Sequence, residues 1–296
     1  MEKDPAWLLQ FSRDHYSQAG EDGIIEQILA LLPANDRWCV EFGAWDGLHL
    51  SNSRHLIEDS GYSAVLIEGS SERFTDLQRN YAANPRVLAR NAFVGFTAAD
   101  GLDALLASTA IPQDFDLLSV DIDGNDYHVW KAISKYRPKV VCIEYNPTIP
   151  TEVLFTQKAD PALNQGSSVA SLVQLGKEKG YELACLLRYN AFFVDGKYFP
   201  AFGISDNRPV TLRKDLSSIT YIFSGFDGTV FLDGQRRLPW HGLPLLESRV
   251  QHLPQALRKF PGNYTATEQA AFAAFRAASA PERWLDRLFR RRRSAK

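Results

Sequence analysis

The stretch Val40-Glu41-Phe42-Gly43-Ala44-Trp45-Asp46-Gly47, with Trp38-Cys39 leading into it, reads as a buried strand that breaks at glycine. An acidic residue at the strand end is followed by two glycines four positions apart. Glycine at 43 lets the backbone turn tightly and approach a ligand with no side chain in the way. Taken alone, the motif is equally a plain strand-to-helix turn. Twenty-seven residues after Glu41, a second apolar run, Tyr62-Ser-Ala-Val-Leu-Ile-Glu68, also ends in a carboxylate. A carboxylate there suits a bidentate hydrogen bond to a ribose diol, as acidic residues do in nucleotide-binding Rossmann sheets. The two together point to a nucleoside ligand. The spacing is not the G-x-G-x-x-G of a dinucleotide site, and no G-x-x-x-x-G-K-S/T phosphate loop is present.

Outward from this stretch, short apolar runs alternate with helical patterns. Ile24, Ile25, Ile28, Leu29 and Leu32 recur at helical spacing before Pro33, so a helix is expected over 21–32. Helices are expected over 51–60 and 70–82, and strands at 87–91, 115–121 and 140–144. This alternation indicates a mainly parallel sheet covered on both faces. A helix over 168–180 then leads into Tyr181–Leu187 and directly into Ala191–Val194. The connection Arg188-Tyr189-Asn190 permits only antiparallel pairing, because a parallel one needs a crossover of a dozen residues or more. Pro200 and Ser205-Asp-Asn-Arg-Pro209 mark a boundary. Beyond it, 220–224 and 229–232 flank Gly225–Gly228 as a hairpin, and 266–290 reads as helix. The expected organisation is an N-terminal helical segment over 1–35 covering the site, a core over 36–204, and a C-terminal extension over 205–296.

Composition narrows the class. With 45% hydrophobic residues the chain can build a core, and its net charge of −2 argues against a nucleic-acid partner. No apolar run approaches the ~20 residues needed to span a bilayer, and the start lacks a signal-peptide pattern. Cys39, Cys142 and Cys185 are odd in number and lie within apolar runs, which fits reduced core thiols. The expectation is a soluble, cytoplasmic protein.

Several motifs together resemble the class I S-adenosylmethionine-dependent methyltransferases, and within them the FkbM-type branch. They are Ser17-Gln-Ala-Gly-Glu-Asp22, Val40–Gly47, Ser51-Asn52, Val65-Leu-Ile-Glu68, Val120-Asp-Ile-Asp-Gly124 and Ile143-Glu144. The resemblance covers residues 15 to 200. It implies a Rossmann-like seven-stranded sheet of order 3-2-1-4-5-7-6 with an antiparallel seventh strand and helices on both faces. It also implies S-adenosylmethionine across the ends of strands one, two and four, with methyl transfer to an oxygen of a sugar or natural product. Carried over by position, Glu41 and Gly43 approach the methionine part and Glu68 holds the ribose hydroxyls. Asn91 and Ala92 border the adenine edge, and Gln18, Asp46, Asn52 and Asp121 complete the cofactor set. Ser17 and Gln18 read as closing over the cofactor, while Ser17, Asp22 or both read equally as plain helix-start residues. The sequence departs from the branch at Asp123, where glutamate is common, and the stretch after 205 matches no part of it.

Asp121 and Asp123 lie two apart at the exit of strand four, and Glu144 ends strand five beside it. Such oxygen ligands suit Mg²⁺ or another hard cation. Alternatively, Asp121 orients cofactor or substrate while Asp123–Asp126 forms a turn that caps the next helix. Asp121, Asp123, Glu144 and His128 are the candidate catalytic residues, with His15 and His49 as further candidate bases. Residues 281–296 carry seven basic and two acidic residues, with Trp284, Leu285, Leu288 and Phe289 on one helical face. This tail suits peripheral contact with an anionic membrane, or simply docks on its own domain. The reading is an O-methyltransferase acting on a small-molecule or glycan acceptor. Its rival is a non-catalytic binding or assembly module on the same fold.

Overall fold

A computed structural model describes residues 3–33 and 36–279. Its centre is one sheet of β1 (Trp38–Phe42), β2 (Ser63–Glu68), β3 (Val87–Asn91), β4 (Leu117–Val120), β5 (Val140–Glu144), β6 (Tyr181–Leu186) and β7 (Asn190–Asp195). The spatial order is β3-β2-β1-β4-β5-β7-β6. Neighbours are parallel except β7, which runs antiparallel to both β5 and β6. This is the expected Rossmann-like architecture. The antiparallel strand follows from the short 187–189 connection, which leaves the chain no room for a crossover.

Alternate residues of each strand feed two separate cores, as the period of two requires. Cys39, Leu66, Leu117, Cys142 and Phe192 pack with α1 (Glu21–Ala30), α2 (Arg54–Glu58) and α3 (Ser71–Asn80) on one face. Val40, Ile67, Leu118, Ile143 and Phe193 pack with α4 (Leu102–Leu106), α5 (Asp126–Ala132) and α6 (Val169–Glu178) on the other. All three cysteines are free and buried, and burial pushes their thiol pKa values up. At the strand starts, fully buried Asp116 accepts the N–H groups of Asp36 (3.0 Å) and Arg37 (2.8 Å) and the Lys139 ammonium (2.7 Å). That hub ties the entries of β1, β4 and β5 together, at the end of the sheet away from the candidate site.

Two helices differ from their expected spans. The 51–60 pattern yields only α2, because Ser51, Asn52 and Ser53 are drawn out of helix by hydrogen bonds to Glu41. The first unit of the chain ends with α7 (Pro209–Leu212), and the 266–290 pattern is described as α8 (Ala266–Ala278), closed at its start by a Thr265–Glu268 capping box. The remainder, with the basic 281–296 tail and its Trp284 face, lies outside the described residues. The chain divides into two compact units, one ending at Leu216 and one beginning at Ser217. In the first, Leu212 is buried, and Arg213 donates to the carbonyls of Pro147 (2.5 Å) and Ile149 (2.9 Å). The second holds two hairpins, β8 (Thr220–Ser224) with β9 (Val230–Gly234), and β10 (Arg237–Leu238) with β11 (Leu243–Pro244). No helix of the described residues is long and apolar enough to cross a membrane.

Candidate functional site

The strand order reverses between β1 and β4, and in open α/β sheets ligands bind beyond the carboxyl ends at such a switch point. Gly43 sits there with φ +76°, where a Cβ would fall 1.8 Å from the Asp121 carbonyl oxygen. The glycine is therefore needed twice, for its backbone angle and for the close approach of the β1 and β4 exits. Beyond it the turn is held by Glu68, whose two carboxylate oxygens accept the N–H groups of Trp45 (2.8 Å) and Ser70 (2.7 Å). Trp45 has φ +51°, an uncommon conformation for a bulky residue, and Arg73 lies over its ring at 4.2 Å. Asp46 accepts from Leu48 (2.9 Å) and His49 (2.7 Å). Partial burial opposes its ionisation, but the His49 and Leu48 N–H groups outweigh that and hold its pKa low.

Glu41, Asn52, Asn91 and Ala92 make internal bonds. The buried Glu41 carboxylate accepts from the hydroxyls of Ser51 and Ser53 (both 2.6 Å) and from Asn52 N–H (2.8 Å). Burial raises its pKa, and the two serine hydroxyls pull it back in part. Asn52 in turn donates to the Ser119 hydroxyl (3.1 Å). The Asn91 amide (2.8 Å) and Ala92 N–H (3.1 Å) both donate to the Glu68 carbonyl, latching the β3 exit to β2. Phe93 follows against Gly69, where a Cβ would meet its ring at 2.6 Å, and is 81% exposed.

Asp121, Asp123 and Glu144 come together at the exits of β4 and β5, each with a carboxylate oxygen within 4.8 Å of the others'. Asp123 has φ +56°. Burial raises the pKa of Asp121 and Glu144 well above the ordinary carboxylate value, and the neighbouring acidic groups add to it. Asp126 accepts from Ile122 (3.0 Å) and Gly124 (2.9 Å), closing the turn before α5, and burial lifts it to about 6. The turn and the acidic cluster therefore coexist. His128 turns its Nε2 to the Gln157 carbonyl (2.7 Å), and His15 stacks on His55 at 4.7 Å. The His49 contact described above is through its backbone.

The sequence does not reveal that Glu21 and Asp22 are buried. Glu21 accepts from Gln18 N–H (3.3 Å), Ala19 N–H (2.7 Å) and the Asn190 amide (3.1 Å), binding the 17–20 segment to β7. Asp22 gathers the N–H groups of His15, Tyr16 and Ser17 on one oxygen. Its other oxygen and Asn190 Oδ1 are buried without a hydrogen-bond partner. Asn190 stands opposite Glu144 across β5 and β7. Among the described residues, no Lys or Arg forms an ion pair with Glu21, Glu41, Glu68, Asp121, Asp123 or Glu144; the buried Lys139–Asp116 pair lies at the strand starts. A separate cleft lined by Trp130, Tyr136, Arg137 and Tyr181 shares no residue with this cluster.

No protein-family model matches the sequence, and no curated relative matches it. Solved structures do resemble it. One is the N-terminal domain of EvdMO1, crystallised in the presence of SAH and D-fucose (15% identity, 62% of this chain and 84% of that one, TM-score 0.40). Another is the citrinin polyketide synthase CMeT domain (14%, 64% and 52%, TM-score 0.39). A third is a SAM-dependent methyltransferase from Aquifex aeolicus (8%, 65% and 97%, TM-score 0.37). At these values the likenesses assign no activity to this chain.

Proposed function

We propose that this protein is an S-adenosylmethionine-dependent methyltransferase of the FkbM type, acting on a hydroxyl of a sugar or glycosylated metabolite. The observation that carries the reading is the acidic lining of the switch point without a Lys or Arg partner among the described residues. A nucleotide bearing phosphates meets mainly like charge at these strand ends, with Arg73 held over the Trp45 ring as the nearby cation. S-adenosylmethionine offers a ribose diol, an ammonium and a sulfonium beside a single carboxylate, and no phosphate. The orphaned acceptor Asn190 Oδ1, beside the acidic exit of β5, suits the same donor-rich, cationic ligand.

In this reading Glu68 keeps its two backbone donors and accepts the ribose hydroxyls with its remaining lone pairs. Gly43 and Asp121 line the methionine side, with Gln18 on the segment above. Asn91 and Ala92 border the base, while Glu41, Asp46 and Asn52 shape the loops that hold it. The bound cofactor supplies an electrophilic methyl carbon. The chain aligns the acceptor oxygen with that carbon and removes the hydroxyl proton. Asp121 and Glu144 suit the second task, because burial and mutual repulsion make them better bases than free carboxylates. The donor set of Asp121, Asp123 and Glu144 also fits Mg²⁺, which would lower the pKa of a coordinated hydroxyl.

Calorimetry and thermal melts of the full chain test the reading. S-adenosylhomocysteine is expected to bind and raise Tm by mass action, while ATP and NAD do neither. Intact mass of candidate acceptors after incubation with S-adenosylmethionine is expected to rise by one methyl group. Absence of binding by both S-adenosyl ligands overturns the proposal, and binding without transfer to any acceptor favours a binding module.

A further inference from the structure

Phe93, at the exit of β3, is 81% exposed. One exposed apolar side chain is ordinary on a protein surface, and what singles this one out is its neighbour. Gly69, the residue after Glu68, does not have a positive φ, so its backbone angle does not require glycine. Its surroundings do. A Cβ there would lie 2.6 Å from both Cδ1 and Cε1 of Phe93 and 3.1 Å from Cγ. Those distances put the Cβ position above the face of the ring, since a position in the ring plane would leave Cγ much further away. The phenyl group therefore lies flat over Gly69, in the room of the missing side chain, and turns its second face to solvent. It offers a flat apolar surface directly beside the carboxylate-bearing end of β2.

The polar groups leading to this ring are already occupied. Asn91 gives its two amide protons to the carbonyls of Glu68 (2.8 Å) and Gly69 (3.3 Å), and its Oδ1 accepts the Ser71 hydroxyl (3.1 Å). Ala92 N–H is taken by the Glu68 carbonyl (3.1 Å). The ring nitrogens of a purine edge thus find no donor from either residue, and Asn91 keeps only one Oδ1 lone pair for an amino group. The same bonds hold the chain that leads into Phe93, so little freedom is lost when a flat ring arrives. We propose, resting on the methyltransferase reading above, that the open face of Phe93 stacks on the adenine of S-adenosylmethionine and that this stacking, rather than reading of the base edge, holds the base. The base hangs from the same ribose whose hydroxyls Glu68 accepts, so it lies beside the residues that flank Glu68. Stacking of this kind tolerates any purine, because every base has a π-face.

Calorimetry of the full chain with S-adenosylhomocysteine tests this. Phe93→Ala should raise Kd about tenfold or more, whereas Phe93→Trp should stay within about threefold of wild type. The added indole fluorescence of Phe93→Trp, measured against wild type, should be quenched by the ligand. Because the side chain is so exposed, the melt of the free Phe93→Ala protein should be unchanged, which separates ligand contact from support of the fold. S-inosylhomocysteine keeps the purine ring but changes its edge, and it should lose less affinity for wild type than Phe93→Ala loses for S-adenosylhomocysteine. Phe93→Ala binding within about twofold of wild type overturns the proposal and leaves the methyltransferase reading standing. A larger penalty for the inosine ligand than for Phe93→Ala gives the base to edge recognition and also overturns it. Wild type that binds neither S-adenosyl ligand removes both.

Discussion

Replacing Glu68 separates ligand recognition from loop support. Its two oxygens offer about four lone-pair positions, of which two accept Trp45 and Ser70 N–H. The remaining pair is available to a ribose diol. Glu68→Ala therefore removes two charge-assisted hydrogen bonds from the complex, about 2–3 kcal/mol, or about 30- to 150-fold in Kd. It also frees two N–H groups, but Trp45 is 45% exposed and water can reach that turn. The expected loss of stability is accordingly small, about 1 kcal/mol. Glu68→Gln keeps the shape but turns an NH₂ group towards one of the two donors, so its affinity should fall between wild type and Ala. Calorimetry with S-adenosylhomocysteine measures the first quantity, and urea denaturation of the free protein the second. A Kd within about threefold of wild type for Glu68→Ala would refute the ribose assignment. Glu68 would then serve only to latch the β1 turn.

Further expectations concern the charged groups. Burial and neighbouring acids raise Asp121, Glu144 and Asp126, the last to about 6. A carboxyl held above its unfolded pKa binds its proton more tightly when folded, so this contribution to stability falls as pH rises from the ordinary carboxylate value to the raised one, which for Asp126 is about 6. Asp121→Asn should therefore raise stability by about 1 kcal/mol at pH 7 and not at pH 4, while turnover drops; a lower Tm at pH 7 contradicts this. Turnover is expected to persist in excess chelator, with the carboxylates acting as bases; loss of activity restored by Mg²⁺ or Mn²⁺ would assign them to a cation instead. Asp116→Ala leaves the buried Lys139 ammonium with Asp36 as its one remaining carboxylate and frees the Asp36 and Arg37 N–H groups, so it should cost about 2–3 kcal/mol in chemical denaturation, and a change below about 1 kcal/mol would show the hub to be dispensable.

The sheet is legible because its signals are local. Apolar runs of strand length, carboxylates at strand ends and the short Arg188-Tyr189-Asn190 connection each constrain the chain without knowledge of distant residues. What escapes is set by partners far along the sequence. The helix pattern from Ser51 is shortened by Glu41, ten residues earlier and on another element. Nothing local marks Glu21 as buried, since the Asn190 amide that donates to it stands 169 positions away. The clustering of Asp121, Asp123 and Glu144 is legible, since adjacent strands bring their ends together. The internal bonds of Glu41 and Asn91 are not, because a motif shows which residues stand at a strand end but not which donors they meet. Strands as short as Arg237–Leu238 carry no periodicity to read.

The reversed direction of β7 has a consequence for how the chain assembles. β6 leaves the ribosome before its only neighbour in the sheet exists, and β5 keeps one open edge until that same neighbour arrives. That edge is Val140-Val-Cys-Ile-Glu144, an apolar segment of the kind that pairs with other chains when exposed. Closure of the sheet therefore waits for β7, the last of the seven strands in chain order, to enter between β5 and β6. A nascent chain halted before Asn190 holds most of its core yet presents a sticky border, so the step most exposed to aggregation comes near the end of synthesis of the first unit.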